Sequence, residues 1–397
     1  MAQIWNTTDQ KLHPQALRYT VGSDYLLDQD IFLPYDLTAS LAHAKMLLNR
    51  EFLNAVEFRN IEKGLAEILD LWKNGKFHIS QEQEDCHAAI EQYLTEKYGS
   101  AGQKIHTGRS RNDQSLVMIR LYEIAQLKNI TKLCKELVET WSKWIKKNGK
   151  TPMPGYTHMQ KAMPTTVGAW QESYKNALED AGGLVEAVIE LLDQSPLGSG
   201  SGYGIPLDID RKATAHELGF KKVQSNPIYC QLSRGLFEAQ TLNAAVFIMT
   251  ALSRWASDLL LFTTSEFGYF SLSAEFCTGS SIMPQKKNYD VFEIMRANLT
   301  VVQAAQFEVQ QISGRLYSGY HRDLQLVKPP LVRGISVTLD TLETALVLAP
   351  QLQLNKEKLA ASMTSELFAT TKVYSNVKKG VAFRTAYDNV KRSIKRN

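Results

Sequence analysis

The stretch LFEAQTLNAAVFIMTALSRWASDLLLFTTSEF, residues 236–267, decides the fold. It contains no glycine and no proline, whereas an average globular helix is only about 11–12 residues long. Its apolar residues step alternately by three and four positions, at Leu242, Ala245, Met249, Leu252, Ala256 and Leu259. This spacing forms a narrow apolar stripe of the kind that packs in helix bundles. One continuous helix over this stretch would extend about 48 Å at a rise of 1.5 Å per residue.

Other long windows support the same fold class. Residues 115–148 and 288–313 also lack glycine and proline, and a fourth helical window, 165–193, is interrupted by Gly182-Gly183. Alternation of the strand type is scarce. The sequence therefore predicts an all-α protein with a central bundle of long helices.

Shorter helical patterns, such as 40–54 and 60–72, precede the long windows, and Ala349-Pro350 ends the last of them. We predict three parts on this basis. They are an N-terminal helical domain (1–105), a central long-helix bundle (106–350) and a short C-terminal helical domain (351–397).

Composition narrows the function classes. The chain has 397 residues, of which 44% are hydrophobic, and 45 basic residues nearly balance 41 acidic ones. The run Lys391–Arg396 is the densest basic segment, and we interpret it as a solvated chain end rather than a nucleic-acid site. The four cysteines show no CxxC pair, which favours reduced thiols over a zinc site. Met1–Asn6 lacks signal-peptide character, and no apolar run predicts a membrane span. We expect a soluble, cytoplasmic protein.

Residue types that carry chemistry gather in three loops, each expected directly before a long helix. They are HTGRSRNDQ (106–114), GYTHMQ (155–160) and GSSIMPQKKN (279–288). Helix N-termini attract anions because their N–H groups are unpaired. Three such loops suggest a substrate with several carboxylates. The last loop could also present an oxygen base while its cations hold developing negative charge.

Each signal has a structural alternative. Arg109 and Arg111 could pair with acidic residues of a neighbouring helix. His158 could be an ordinary hydrogen-bonded histidine, and Ser280-Ser281 could be a helix-capping turn. The joint occurrence of all three loops favours function over these alternatives.

Helix length constrains where the site lies. If consecutive long helices run up and down, loops 106–114 and 155–160 fall at opposite ends of the bundle, tens of ångströms apart by the helix rise. One subunit could not bring both to one substrate, whereas a symmetric oligomer could. We therefore predict a site built from more than one chain.

Together these strings resemble the argininosuccinate lyase branch of the fumarase/aspartase superfamily. Residues Gly279 to Glu293 match the superfamily pattern GSSxMPxKxNxxxxE at every fixed position. The other two loops, 106–114 and 155–160, match the pattern of the argininosuccinate lyase branch. The motif Glu84-Asp85-x-His87 and the 320–328 region match that pattern as well. The resemblance implies a mainly helical, three-domain fold and a homotetramer with a twenty-helix core and shared sites. It implies reversible cleavage of L-argininosuccinate to fumarate and L-arginine, the last step of arginine biosynthesis, without metal or organic cofactor.

The resemblance also assigns residues. Ser280 is expected to be the base, and Lys286 with Asn288 to hold the carboxylate that gains charge. His158, oriented by Glu293, is expected to be the acid, although these two labels exchange within the family. Further expected substrate-binding residues are Ser23, His87, Arg111, Asn112, Thr157, Tyr320, Gln325 and Lys328.

Two departures from the family pattern stand out. Tyr289 replaces the proline that usually follows Lys-Lys-Asn, and the chain ends soon after Gly380–Arg384. The alternatives left open are another fumarate-releasing lyase of the superfamily, such as adenylosuccinate lyase or aspartase, and a non-catalytic crystallin-like protein. Neither nucleic acid nor a membrane is an expected partner.

Overall fold

A computed structural model describes residues 12–394 and is mostly helical. Met1–Asn6 and the end of the basic run, Lys395-Arg396, lie outside the described residues. The helices are α1 (Pro14–Val21), α2 (Asp24–Leu27), α3 (Leu33–Asn49), α4 (Ala55–Lys73), α5 (Cys86–Tyr98), α6 (Ser100–Lys104), α7 (Arg111–Asn148), α8 (Val167–Leu192), α9 (Arg211–Glu217), α10 (Pro227–Leu232), α11 (Leu236–Phe262), α12 (Asp290–Ser313), α13 (Lys328–Leu348), α14 (Lys356–Ala361), α15 (Ala369–Lys378) and α16 (Phe383–Ile394). The predicted all-α class is confirmed.

The strands are short and form two-stranded sheets in the described chain. They are β1 (Pro152–Thr157), β2 (Gln160–Thr166), β3 (Gln194–Ser195), β4 (Lys222–Val223), β5 (Phe270–Ser271) and β6 (Gln353–Leu354). β1 pairs with β2 and β5 with β6, both antiparallel, and β3 pairs with β4 in parallel. The hairpin β1–β2 was not predicted. Pro152, Pro154 and Pro164 interrupt any regular alternation, and the register shifts at a bulge near Gly155.

The long helices begin and end close to the predicted windows, with two corrections. α8 runs through Gly182-Gly183 without the predicted interruption, because two glycines weaken a helix by only about 1 kcal/mol each. α7 begins at Arg111 rather than 115. Ser110 Oγ accepts the N–H of Asn112 (3.3 Å), and Asp113 Oδ1 accepts the N–H of Ser110 (2.9 Å). This reciprocal cap places Arg111 and Asn112 in the first helical turn.

The described chain folds into two compact units. The first comprises the residues up to Asn129 with Leu184–Val246 and Val301–Ser336. The second comprises Ile130–Gly183, Phe247–Thr300 and the residues from Val337 onward. The predicted segment 106–350 contributes to both units, and the division into three domains stays a prediction.

In the first unit, parts of α11, α12 and α13 pack closely. A Cβ added at Gly334 of α13 would lie 2.4 Å from Leu242 Cδ2 and 3.4 Å from Ala305 Cβ. The glycine therefore permits the close approach of three helices. Thr241 Oγ1 of α11 also donates to the buried Glu123 of α7 (2.7 Å).

In the second unit, aromatic side chains join parts of four helices. The rings of Trp141 (α7) and Trp255 (α11) lie 5.3 Å apart, and Phe292 (α12) meets Trp255 edge-on at 6.0 Å. Trp255 Nε1 donates to Gln171 Oε1 of α8 (3.1 Å). Trp141, Trp255 and Phe292 are buried, so this is bundle packing of the kind that the apolar stripe predicted.

Helix α11 meets the length and composition expected of a membrane span, contrary to our sequence analysis. However, 56% of its most apolar window is buried inside the protein, which is also the property of a core helix. Its apolar character is therefore weak evidence for a membrane.

A buried histidine connects α3 to the segment before α7. His43 Nε2 donates to the carbonyl of Thr107 (2.8 Å), and the ring is almost completely buried. Burial, reinforced by Arg109 and His106, holds the pKa of His43 well below its usual range. His43 is therefore neutral in the folded protein at neutral pH.

Replacing His43 should alter how stability depends on pH. Below pH 6.5 this histidine is protonated in the unfolded chain but not in the folded chain. The free energy of unfolding therefore falls by up to about 1.4 kcal/mol for each pH unit below that value. His43→Gln retains an N–H donor for Thr107. Free energies of unfolding in urea at pH 7, 6 and 5 should therefore decline less in this variant than in the wild type. The exposed His216→Gln is the control, and a His43→Gln curve parallel to the wild type would contradict the assignment.

Candidate active site

A cavity of about 160 Å³ lies within the first unit. Six of the predicted substrate-binding residues line it: His87, Arg111, Asn112, Tyr320, Gln325 and Lys328. Seven further residues line it that were not among the predicted substrate-binding residues: Asp24, Asp28, Glu84, Asp85, Ser115, Arg234 and Arg322. Ser23, also predicted, is exposed at the start of α2 and is not part of this lining.

Lys328 is buried between two carboxylates at one wall of the cavity. Its Nζ lies 2.7 Å from Asp24 Oδ2 and 2.7 Å from Asp28 Oδ1, and 5.7 Å from the centre of the Phe32 ring. Burial raises the pKa of Asp24 to about 6; Lys328 opposes this shift and Asp28 adds to it. Burial alone would lower the pKa of Lys328, but Asp28 and Asp24 raise it. Lys328 is therefore a cation whose charge is already compensated.

A second group of ion pairs surrounds Arg111. Its guanidinium donates to Asp85 Oδ2 through both Nε (2.7 Å) and Nη2, and Nη2 lies 3.6 Å from Glu84 Oε2. Arg322 Nη2 also donates to Glu84 Oε2 (3.3 Å). Glu84 is buried and has a φ of 70°, a left-handed conformation that is uncommon for residues other than glycine. The structural alternative for Arg111, pairing with neighbouring carboxylates, is thus observed here.

His87 occupies the first turn of α5 and connects the cavity to the core. Its Nδ1 donates to Asp36 Oδ2 (2.9 Å), and Asp36 is completely buried. Burial by itself would lower the pKa of His87, but Asp36, Asp85 and Asp28 raise it. This pair favours a charged imidazole beside the cavity.

The same neighbourhood has the atom types of a metal site. Asp36, Cys86 and His87 offer ligand atoms within 4.8 Å of one another. Their observed contacts are to protein groups, because His87 faces Asp36 and Cys86 Sγ donates to Met118 Sδ (3.5 Å). Burial, with nearby Asp28 and Asp36, raises the pKa of Cys86 well above its usual range, which disfavours the thiolate that a metal requires. The expectation of no metal stays a prediction.

Thr157 and His158 lie at the tip of the β1–β2 hairpin in the second unit. Thr157 pairs with Gln160, so His158 and Met159 are the two turn residues, with φ of 52° and 60°. Two positive φ angles define a type I′ turn, for which Asn-Gly is the usual sequence. Thr157 and His158 are both exposed. A strained turn thus presents His158 outward.

The loop that contains Ser280, residues 279–287, lies in the second unit and is closed by a backbone bridge. Thr278 and Asn288 exchange hydrogen bonds of 3.0 and 2.9 Å, which join the ends of segment 279–287. Ser280 Oγ accepts the N–H groups of Ile282 (3.4 Å) and Met283 (3.1 Å). Asn288 Nδ2 donates to Thr278 Oγ1 and Gly279 O, both at 3.3 Å. The local turn suggested as an alternative for Ser280 is therefore present.

Several predicted catalytic side chains point to solvent. His158, Lys286 and Glu293 are exposed, and Glu293 lies in the first turn of α12. Over residues 12–394, His158 and Glu293 make no side-chain hydrogen bond or ion pair, so the predicted orientation of His158 by Glu293 is not formed in a single chain. Tyr289, which stands where the family pattern has proline, stacks on Phe292 with 6.3 Å between the ring centres.

Some of the unpredicted lining residues had a signal in the sequence. Asp24 and Asp28 are four apart, the spacing of one helix face. Glu84 belongs to the quoted motif Glu84-Asp85-x-His87, and Arg322 lies within the quoted 320–328 region. Arg234 had none, because it lies between α10 and α11 without any periodic pattern.

Comparisons with known proteins give the family. A model described as the lyase family matches residues 18–304. The argininosuccinate lyase of Thermotoga neapolitana is 44% identical over 388 residues, covering 97% of this chain and 96% of that protein. That of Sorangium cellulosum is 43% identical, covering 96% of this chain and 88% of that protein.

Solved structures agree in fold. EDDS lyase in complex with formate has a TM-score of 0.78 at 21% identity, covering 97% of this chain and 76% of that one. A class II fumarase from Schistosoma mansoni has a TM-score of 0.75 at 17% identity, and the match covers 94% of this chain and 91% of that one. The resemblance noted in the motifs is confirmed: the chain belongs to the argininosuccinate lyase family of the fumarase/aspartase superfamily and is a lyase.

Proposed function

We propose that this chain cleaves L-argininosuccinate reversibly to fumarate and L-arginine, as the last step of arginine biosynthesis. The observation that carries the proposal is the small cavity in which guanidinium, ammonium, carboxylate and amide groups meet. A substrate with three carboxylates, an ammonium and a guanidinium requires such a mixed lining. Relatives that carry this name match nearly the whole chain.

The chemistry is a β-elimination. A base removes a proton from the carbon next to a succinyl carboxylate, and the resulting charge spreads into that carboxylate. The pair of electrons then forms the double bond of fumarate, the carbon–nitrogen bond breaks, and the leaving guanidino nitrogen takes up a proton.

Ser280 is the base in this proposal. A serine hydroxyl is normally far too weak a base, but the N–H groups of Ile282 and Met283 point at its oxygen. Such donors favour the oxygen when it carries negative charge. Lys286 and Asn288, on the same loop, hold the carboxylate that gains charge in the transition state.

His158 is the acid that protonates the leaving nitrogen, and Glu293 orients it. Imidazole titrates near neutral pH, which suits this role. The reverse assignment, with His158 as base and Ser280 as acid, uses the same two residues. Thr157, next to His158, binds a substrate carboxylate, and so do Arg111 and Asn112.

The complete site forms in a homotetramer with a twenty-helix core. Ser280 is half-buried and His158 is exposed and unpaired, which suits residues that face another chain. Large apolar side chains on the long helices are also exposed: Leu184, Leu236, Phe247, Ile294, Phe307 and Val347. Symmetric assembly would bury these helix faces. Ser23 and Arg111–Asn112 would then belong to a site completed by loops of neighbouring copies.

The remaining expectations complete the proposal. The protein works in the cytoplasm without metal or organic cofactor, and without nucleic acid or membrane as a partner. Its three domains follow the boundaries 1–105, 106–350 and 351–397.

A substrate panel tests the reaction. Fumarate release, followed by its ultraviolet absorbance, should occur with argininosuccinate and not with adenylosuccinate, aspartate or malate. Release from one of the others alone would assign the chain to another reaction of the superfamily. No release from any substrate would favour a crystallin-like structural role.

Removing the Ser280 hydroxyl should nearly abolish turnover. Ser280→Ala is expected to lower kcat by at least about 10²–10⁴-fold, because a general base is lost. Circular dichroism and the sedimentation coefficient should stay unchanged. Ser281→Ala, which alters the neighbouring exposed serine, should lose far less activity. Substantial turnover by Ser280→Ala would rule out Ser280 as the base.

Hybrid tetramers should test whether sites are shared. Mixing inactive His158→Asn with inactive Ser280→Ala chains should restore activity at about a quarter of the sites, because random assembly brings the two intact residues together there. Each variant taken through the same unfolding and mixing alone is the control. The two variants carry different tags, so that tetramers containing both can be identified. If such hybrid tetramers stay inactive, the shared site is contradicted.

A further inference from the structure

The β1–β2 hairpin that carries His158 depends on other elements for its support. A two-stranded hairpin by itself is at best marginally stable in water. Its turn holds His158 and Met159 at φ of 52° and 60°, and strain of this kind persists only where the surrounding structure enforces it. The contacts that hold the hairpin therefore determine where the imidazole of His158 points.

Burial along β1 decreases toward the turn. At the base of the strand Met153 and Pro154 are buried, and α14 lies against this strand. Residues 157–160, which form the tip, are exposed. Tyr156 lies between these two parts and is half-buried, two residues before His158. Its side chain is thus the last partly buried support along β1 before the turn.

Tyr156 belongs to a cluster of aromatic rings. Its ring centre lies 5.7 Å from that of Phe267 and 6.2 Å from that of Phe262. Tyr269 joins the same cluster, at 5.4 Å from Phe267 and 5.6 Å from Phe262. Apolar burial is non-directional, so it retains the side chain without fixing its exact position. A hydrogen bond at the end of the ring adds direction.

The hydroxyl groups of Tyr156 and Tyr269 form such a bond, with 2.8 Å between the two oxygens. Tyr269 is only 2% exposed, and its own backbone is fixed on both sides. Its N–H donates to the carbonyl of Phe262 (2.8 Å), and its carbonyl accepts the N–H of Asn355 (2.9 Å). The bond therefore joins the hairpin to a rigid point between the end of α11 and the start of α14.

The protonation state of Tyr156 suits this contact. Burial, together with the hydrogen bond to Tyr269, raises the pKa of Tyr156 above its usual range. The hydroxyl therefore stays protonated at neutral pH. A second side-chain bond reaches the hairpin at Lys161, whose Nζ donates to Thr364 Oγ1, but this contact is exposed and 3.4 Å long. It is accordingly a weaker constraint than the tyrosine pair.

We propose that the hydrogen bond between Tyr156 and Tyr269 positions His158 for proton transfer, because it holds the β1–β2 hairpin in a single orientation. The inference rests on the proposed function for the role of His158. Tyr156 and Tyr269 act through His158 and are positioning residues.

Removing either hydroxyl tests the inference. Tyr156→Phe and Tyr269→Phe each keep the ring, and each should lower kcat for argininosuccinate by about 10- to 100-fold, because a small misplacement of a catalytic group is costly. KM should change by less than about threefold, since the lost interaction serves the transition state. The double variant should lose no more than either single one, because both substitutions break the same contact.

Tyr174→Phe is the matched control. Tyr174 is a half-buried tyrosine of α8 in the same unit, and its hydroxyl donates to Asp258 of α11 (2.5 Å). This variant should lose stability to a similar extent and keep its kcat nearly unchanged. Amide hydrogen exchange over residues 155–161 adds a readout that needs no activity. Exchange should become faster in Tyr156→Phe and Tyr269→Phe but not in Tyr174→Phe.

Wild-type kcat in Tyr156→Phe or Tyr269→Phe would overturn the inference, and so would losses that add in the double variant. An equal loss of kcat in Tyr174→Phe, or unchanged exchange at the hairpin, would overturn it as well. If Tyr156→Phe does not fold, Tyr269→Phe still removes the same contact. Absence of fumarate release by the wild type would refute the proposed function, whereas hydrogen exchange would still show whether the two hydroxyls hold the hairpin.

Discussion

The buried ion triad of Lys328 with Asp24 and Asp28 is the interaction on which the first unit depends. It joins the start of α13 to helix α2 and the π-helical turn Asp28–Phe32, across 300 residues of sequence. Asp28 also accepts the N–H of Cys86 (3.2 Å), which brings the start of α5 to the same point. Removing one member of a buried ion pair typically costs 3–5 kcal/mol because the other charge stays uncompensated. The triad therefore fixes three walls of the cavity at once.

Pairing within the protein also determines which charges remain for a substrate. Arg111 and Arg322 are held by Glu84 and Asp85, so their guanidinium groups are positioned but partly compensated. Among the described residues, no carboxylate lies within 4.0 Å of the buried Arg234. What a charged lining residue can do for a ligand thus depends on whether an ion pair within the protein already neutralises it, as well as on the sign of its own charge. Low dielectric makes this distinction large, since buried pairs interact far more strongly than exposed ones.

The catalytic candidates of the second unit differ from the cavity residues in that ion pairs among the described residues do not position them. Ser280, His158 and Lys286 lie on a bridged loop and on a strained hairpin, and they have few contacts with the rest of their own chain. Local backbone geometry positions these side chains. In the proposed homotetramer, neighbouring copies of the chain would supply the residues that contact them.

Much of the site was predictable because its residues lie in local strings. Six of the cavity residues were named from motifs, since a motif carries residue type and spacing together. The hairpin β1–β2 was missed because three prolines disguise its alternation. The continuity of α8 through Gly182-Gly183 was missed because neighbouring turns outweigh the weak preference of two glycines.

The sequence by itself determined the helical class, the long helices and the three loops that gather chemistry-bearing residue types, because periodicity and turn chemistry act over a few residues. Only the tertiary structure decided the state of each charge. Whether Lys328 is compensated, whether Arg111 already holds Asp85, and how far Arg234 lies from the described carboxylates depend on residues far apart in the chain. Ion pairs and burial are properties of distance in space, and local sequence does not encode that distance.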